Sequence, residues 1–409
     1  MYLQAKPAKS LKQTNTFDGI VVLCLLKLSM KIDHIHFFVE DAVRQRDWFI
    51  LYMGWKSVGQ ATLPDRFLEV LCYRNTYFVI SSPRTSDSPV AQYLLNHAPG
   101  IVDVAFVVED LSEVLKRLEN IPDFIQKGSG FTNVGKISVP NTQSLPTLSQ
   151  IAYTLDDTEP PTCLCIEGWG GVRHTLIEKR ASNKFSVGFT QPQPWKTHLQ
   201  KASNCIDHIV LNVPRGEIQA AVEFYQCFLG LQKQQSFQIQ TERSGLNSQV
   251  LFSLENQFYF NINEPTSANS QIQEFLNANH GAAGIQHIAL HSEPIVETIS
   301  TLRHQGLSFL SVPLTYYHQL EERLGSRKKS SILTINEWEQ IIQQKILIDW
   351  QPENPESLLL QIFSLPIFPK SHFFFEFIER RKQSQGFGEG NFLALYKAIE
   401  AESQLQSTK

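Results

Sequence analysis

Cysteine is scarce in this chain, six in 409 residues, at positions 24, 72, 163, 165, 205 and 227. No Cys-x-x-Cys pair and no dense spacing occurs, which excludes a disulfide scaffold and points to a reducing cytoplasm. Cys163 and Cys165 in "TCLCIEG" alternate as on a strand and read as structural rather than as a metal clip. Long apolar runs are also missing. The longest near the start, "GIVVLCLL" (Gly19–Leu26), falls far short of the ~20 residues of a membrane span. Lysines precede it as in a signal peptide, but "KLSM" follows in place of a small-x-small cleavage site, so residues 1–30 read as a poorly ordered extension. There is little net charge: −4, with a pI near 6.3, gives no general attraction to nucleic acid or anionic membrane. The short basic clusters "GSRKKSS" (325–331) and "IERRKQ" (378–383) read as solvated loops or helix ends.

What the chain does have is repetition. "IDHIHFFVEDAVRQRDWFILYMGWKSVG" (32–59) lines up with "IDHIVLNVPRGEIQAAVEFYQCFLGLQK" (206–233) as strand, helix, strand. "GIVDVAFVVEDLSEVLKRLEN" (100–120) lines up with "GIQHIALHSEPIVETISTLRHQG" (284–306), and more weakly "HTLIEKR" (174–180) with "FFFEFIERR" (373–381). With 42% hydrophobic residues the chain can bury two cores. The reading is an α+β tandem duplication of strand–helix–strand modules, each half a curved mixed sheet closing around a cavity. The expected first domain covers 31–190 and the second 204–409, joined through the Gln-, Pro- and Ser-rich stretch at 186–204.

The halves differ in ligand-capable residues. The second has His208 in "IDHI", His287 in "IQHIAL" and Glu376 in "FFFEFI", each within an apolar strand. A lone histidine there is more often a hydrogen-bonded core residue. A carboxylate flanked by Phe373, Phe374, Phe375 and Phe377 is harder to explain without a cation or a donor network. Two imidazoles and one carboxylate on one wall form the facial set that holds Fe(II) with positions left open. The first half offers His34, Asp103 and Glu178 at the places this alignment matches, so its two-histidine set is broken.

The second half resembles the 4-hydroxyphenylpyruvate dioxygenase family of the vicinal-oxygen-chelate superfamily. The matching stretches are "IDHIVLNVP", "SGLNSQVL", "INEP", "SQIQEFL", "GIQHIAL", "VPLTYY", "LLLQIF", "FFFEFIERR" and "GFGEGNF", in order from 206 to 392. The first half resembles the family's non-catalytic repeat more loosely. The resemblance implies a vicinal-oxygen-chelate (glyoxalase-like) fold of βαβββ modules, two half-open mixed β-barrels and a C-terminal gating helix. It implies that 4-hydroxyphenylpyruvate and O2 are converted to homogentisate and CO2 by oxidative decarboxylation, ring hydroxylation and side-chain migration. His208, His287 and Glu376 would ligate Fe(II), and Phe363 and Phe392 would hold the substrate ring. Ser248, Asn263, Gln271, Gln286, Gln361, Phe387 and Asn391 match the family's pocket positions. Because Gln286 directly precedes His287, period-two alternation points it to the opposite face, so contact with substrate needs a local twist. The stretch "NFLALYKAIEAESQL" (391–405) puts Phe392, Leu395, Tyr396 and Ile399 on one helical face, suited to closing the cavity.

One departure bears on the product. The family's "PINEP" is "NINEP" here, with Asn261 at the proline position. A related enzyme, 4-hydroxymandelate synthase, takes the same substrate and tends to carry a polar residue there, but a smaller aliphatic at the Phe363 position. Phe363 and "GFGEGNF" are both kept, which favours homogentisate. An isomerase or extradiol cleaver of the superfamily would lack the phenylalanine pair, and a non-catalytic binding protein would have no use for Glu376. The resemblance also implies a homo-oligomer, with the first half as an assembly surface.

Overall fold

In a computed structural model, residues 30–114, 137–138, 163–178, 205–241, 244–253, 258–322, 333–351, 354–368 and 370–392 are described. Residues 1–29 of the extension, the join at 186–204, the basic cluster at 325–331 and the closing helix beyond Phe392 lie outside them, whereas Met30, expected in the extension, is buried and opens the first strand.

Two eight-stranded mixed sheets follow one plan. The first holds β1 (Met30–Phe38), β2 (Lys56–Thr62), β3 (Arg66–Tyr73), β4 (Thr76–Pro83), β5 (Gly100–Val108), β6 (Ile137–Ser138), β7 (Cys163–Glu167) and β8 (Arg173–Glu178), ordered β2-β3-β4-β1-β5-β8-β7-β6. The second holds β9 (Ile206–Asn212), β10 (Gln232–Gln240), β11 (Gly245–Ser253), β12 (Phe258–Pro265), β13 (Gly284–His291), β14 (Leu347–Gln351), β15 (Asn354–Phe363) and β16 (Phe374–Arg380), ordered β10-β11-β12-β9-β13-β16-β15-β14. The permutation is the same in both. Each half is two βαβββ modules meeting where the first strands pair antiparallel, β1 with β5 and β9 with β13.

The helices follow from local signals. Helix α1 (Ala42–Met53) starts where the Asp41 side chain accepts from Arg44 N–H, and it ends at Gly54, whose φ of 67° closes the left-handed cap. Its second-half counterpart (Ile218–Leu229) ends likewise at Gly230, φ 64°. Gly54 before Trp55 and Gly230 before Leu231 thus end equivalent helices in the two halves.

Convex faces of the two sheets meet in one core. Phe37, Phe49 and Phe78 from the first half pack on Phe368, Phe373 and Phe375 from the second, with the Phe78 and Phe375 rings stacked at 6.0 Å. Alternation along β16 explains this: Phe375 and Phe377 face the core, leaving Phe374 and Glu376 for the concave side. Polar links cross as well. Cys205 N–H donates to Thr76 Oγ1 at 3.0 Å, and the Trp169 indole donates to Glu217 at 2.9 Å.

His174 is the most deeply set of these links. Its Nδ1–H donates to Val104 O at 3.3 Å and its Nε2 accepts from the Tyr225 hydroxyl at 3.0 Å, so the fold holds the neutral ring. Burial lowers its pKa to about 4. The unfolded chain takes up this proton near pH 6.5, so stability is full above that pH and falls as pH drops toward 4, by up to about 3 kcal/mol. Urea unfolding between pH 7 and 4 should therefore lose about one proton of pH dependence in His174→Gln relative to the wild type.

Candidate metal centre

Strand register builds the site. In the β9–β13 pair His208 lies opposite Ala289, and in the β13–β16 pair Ala289 lies beside Glu376 while His287 lies beside Phe374. Three adjacent strands thus deliver three donors to one concave face. Glu376 Oε2 is 3.2 Å from His208 Nε2 and 3.7 Å from His287 Nε2, and ligand atoms of all three lie within 4.8 Å of one another. No other group of this kind occurs among the described residues. All three side chains are buried, Glu376 to 1% exposure. Donors ~2.1 Å from a shared ion and at right angles lie about 3.0 Å apart, so the observed spacing fits a divalent metal. Fe(II) suits the donor set of two imidazoles and one carboxylate.

Each donor is held from behind. The His208 Nδ1–H donates to Asp207 Oδ1 at 2.8 Å, which turns Nε2 toward Glu376. Arg380 donates to both oxygens of Asp207, from Nε at 2.7 Å and from Nη2 at 2.8 Å. Burial opposes ionisation of Asp207, yet the Arg380 charge and these hydrogen bonds hold its carboxyl far below the usual carboxylate range. Burial likewise opposes the imidazolium of His208, but the Glu376 charge and the bond to Asp207 push its pKa up to about 9. Burial, and then the neighbouring His208, lower His287 well below its ordinary value. The His287 ring stacks on Phe374 at 4.6 Å, and its Nδ1 has no hydrogen-bond partner. On Glu376, the second oxygen accepts from Gln361 Nε2 at 2.8 Å.

The donors line a narrow cleft. Ser248, Asn263, Gln271, Gln286, Phe387 and Phe392 all line it, as does Asn261. Ser248 Oγ and Asn261 Oδ1 are buried without partners, so the wall presents unused polar atoms to a ligand. Gln286 reaches the wall because a β-bulge interrupts the register between Ile285 and His287, which supplies the local twist that simple alternation lacks. Phe363 lies in a neighbouring cleft that shares Gln271, Gln286, Phe374 and Phe392 with the first. Its ring is 5.5 Å from that of Phe392, tilted by 33°. Gln361 and Asn391 stand behind the wall. Gln361 Nε2 also donates to Phe387 O at 3.0 Å, its Oε1 accepts from Asn391 Nδ2 at 2.8 Å, and Asn391 Oδ1 accepts from the Tyr316 hydroxyl at 2.8 Å.

Two readings of the sequence need correction. Glu178 is not the counterpart of Glu376. Val108 pairs with Glu178 and Phe106 with Leu176, so parallel register sets Thr175 beside Ala105, the position Glu376 holds beside Ala289. Glu178 instead accepts from Leu111 N–H at 3.2 Å, as Glu379 accepts from Ile295 N–H at 2.7 Å, and these two are the true pair. Nor is Arg380 of "IERRKQ" a solvated charge, since it shares a strand face with Glu376 and its side chain is only 12% exposed. The sequence reading also missed Asp207 and Phe374. Asp207 is the residue before His208 in "IDHI", and Phe374 lies two residues before Glu376 on the same face.

The fold and this site define a metal-site protein of the vicinal-oxygen-chelate type. The Glyoxalase/Bleomycin resistance protein/Dioxygenase superfamily matches residues 205–321. Over 92% of its length the chain is 33% identical to an uncharacterized protein of Synechocystis sp., covering 99% of that protein. It is 32% identical to the 4-hydroxyphenylpyruvate dioxygenases of Caenorhabditis elegans and Sus scrofa, over 90% and 91% of this chain and 91% and 92% of theirs. Among solved structures, a mutant of 4-hydroxymandelate synthase from Streptomyces coelicolor matches in fold, with a TM-score of 0.74 at 23% identity over 92% of this chain and 99% of that one. The chain belongs to the 4-hydroxyphenylpyruvate dioxygenase family.

The loop after β16 carries a sharp test of the wall. Gly388 has φ +76°, and a Cβ there would lie 1.8 Å from Gln361 Oε1. Gly388→Ala should cost about 1–3 kcal/mol in urea unfolding and displace Gln361 from Glu376, whereas alanine at Gly216, where a Cβ meets open space, should cost only its backbone strain.

Proposed function

We propose that this chain converts 4-hydroxyphenylpyruvate and O2 to homogentisate and CO2, with Fe(II) held by His208, His287 and Glu376. The observation that carries the reading is the facial donor set on the floor of a cleft whose wall is made of uncharged polar groups and phenylalanines. Family membership supports the same conclusion. Bound Fe(II) would supply the redox chemistry that joins O2 to the α-keto acid, whose loss of CO2 furnishes two of the electrons.

The protein's own groups do the rest. Asp207 fixes the His208 tautomer, and Gln361 fixes the rotation of the Glu376 carboxylate. Ser248, Asn261, Asn263, Gln271 and Gln286 offer neutral donors and acceptors to the phenol and the keto acid, so no competing cation is needed beside the metal. Phe363 and Phe392 fix the ring from the side of the mouth, which is worth more as orientation than as affinity. Phe387, edge-on to His208 at 5.3 Å, keeps water from the donors.

One observation favours a second product. Asn261 brings an unpartnered Oδ1 to the wall, and 4-hydroxymandelate would be the outcome if it redirected the side chain toward the oxidant. The five described cysteines are free thiols, in keeping with a cytoplasmic protein. A homo-oligomer with the first half as its assembly surface completes the proposal.

Anaerobic protein loaded with Fe(II), then given 4-hydroxyphenylpyruvate and oxygen, should yield homogentisate. 4-Hydroxymandelate would support the second product, and no turnover with iron fully bound would overturn both. Glu376→Ala should abolish iron binding, whereas Glu178→Ala and Thr175→Ala should leave it unchanged.

A further inference from the structure

We propose that Arg380 couples closure of the 384–388 loop to the orientation of His208, acting through Asp207, so that both are positioning residues for the metal centre. The inference rests on the metal reading above. Five groups converge on the one guanidinium. Its Nε and Nη2 hold the Asp207 carboxylate, and its Nη1 donates to Ser384 O at 3.2 Å and Gly386 O at 2.8 Å. Its Cζ lies 5.4 Å from the ring centroids of both Tyr259 and Phe387. The Phe387 ring in turn touches His208.

Arginine's donors are fixed in one plane, so it cannot serve Asp207 and the two loop carbonyls independently. If the loop lifts away, the guanidinium loses two acceptors and one aromatic face. The carboxylate that sets the His208 tautomer then loses its rigid support. Gly386, at φ +90°, lets the chain turn its carbonyl back to Arg380. Coupling between two binding events is reciprocal, so bound metal must stabilise the closed loop as much as the closed loop stabilises the metal. A merely structural staple would change stability alone. The first half supplies an internal control, because Asp33 Oδ2 is 2.7 Å from His34 Nδ1 with no metal-ligand cluster around it among the described residues.

The test uses Co(II) as the probe, with chelator competition for affinity and hydrogen exchange of the 384–388 amides for closure. Arg380→Lys and Asp207→Asn should weaken Co(II) by about 10–100-fold, and Asp33→Asn should not. In the wild type Co(II) should slow loop exchange by at least roughly fivefold, and in Arg380→Lys saturating Co(II) should not slow it. Wild-type affinity in Arg380→Lys, or loop protection that survives in it, would overturn the coupling. If Arg380→Lys does not fold, Asp207→Asn decides the matter by the same two readouts. A wild type that binds no Co(II) would overturn the metal reading itself. One that binds Co(II), keeps the coupling, and with Fe(II) forms no homogentisate would overturn the proposed reaction while supporting the coupling.

Discussion

A carboxylate at 1% exposure, with His208 and His287 at 3.2 and 3.7 Å from one of its oxygens, is the constraint around which the second half is organised. Burying such a charge without compensation costs several kcal/mol. The compensation runs outward through groups of alternating character. Glu376 faces His208, His208 donates to Asp207, and Asp207 is clasped by Arg380. Gln361 takes the remaining oxygen of Glu376 and is itself satisfied by Asn391 and the Phe387 carbonyl. Removing any one member exposes the next to an unpaired burial. The polar network therefore behaves as a unit, and its outer members are as much a part of the site as the donors.

The first half shows what the same sheet becomes without that constraint. It keeps the strand order and the aspartate–histidine pair, but Asp103 stands where His287 does and Thr175 where Glu376 does. Those two replacements satisfy each other, Asp103 accepting from both the Thr175 N–H and its hydroxyl. With both oxygens of Asp103 engaged by Thr175 and the second histidine missing, the facial donor set is broken here. What the first half gives instead is surface: its phenylalanines cover the back of β16 and hold that strand's register against the second half.

Period two and internal repetition made the duplication, the strand–helix order and the three donors legible in the sequence, because each is a local pattern or a comparison between two local patterns. The failures were non-local. Choosing Thr175 over Glu178 needed the register of β5 against β8, and two glutamates three residues apart look alike until one is seen capping a helix. Arg380 looked like solvated charge because its partner is 173 residues away. Gln361 and Asn391 were grouped with the pocket by motif, and only hydrogen-bond partners separate a residue on the wall from one supporting it. Gln286 was the opposite case: alternation predicted the wrong face unless the strand was irregular, and a bulge made it so.

The two clefts share the ring of Phe392 as part of their common wall, and that ring now leans on Phe363 at 5.5 Å. A phenol gripped between them would need two carbon contacts of about 3.5 Å each, or some 7 Å between faces. The rings must therefore part by about 1.5 Å to take substrate. Phe363 cannot yield easily, being at the end of a strand paired directly to Glu376. Phe392 can, since it follows Gly386, Gly388 and Gly390 on a loop held to the sheet by side-chain hydrogen bonds, among them Gln361 to Phe387 O and the Gly390 N–H to Asp349. In the proposed reaction, substrate entry, ring clamping and the shielding of the metal donors by Phe387 would then be movements of one segment, the one that Arg380 holds.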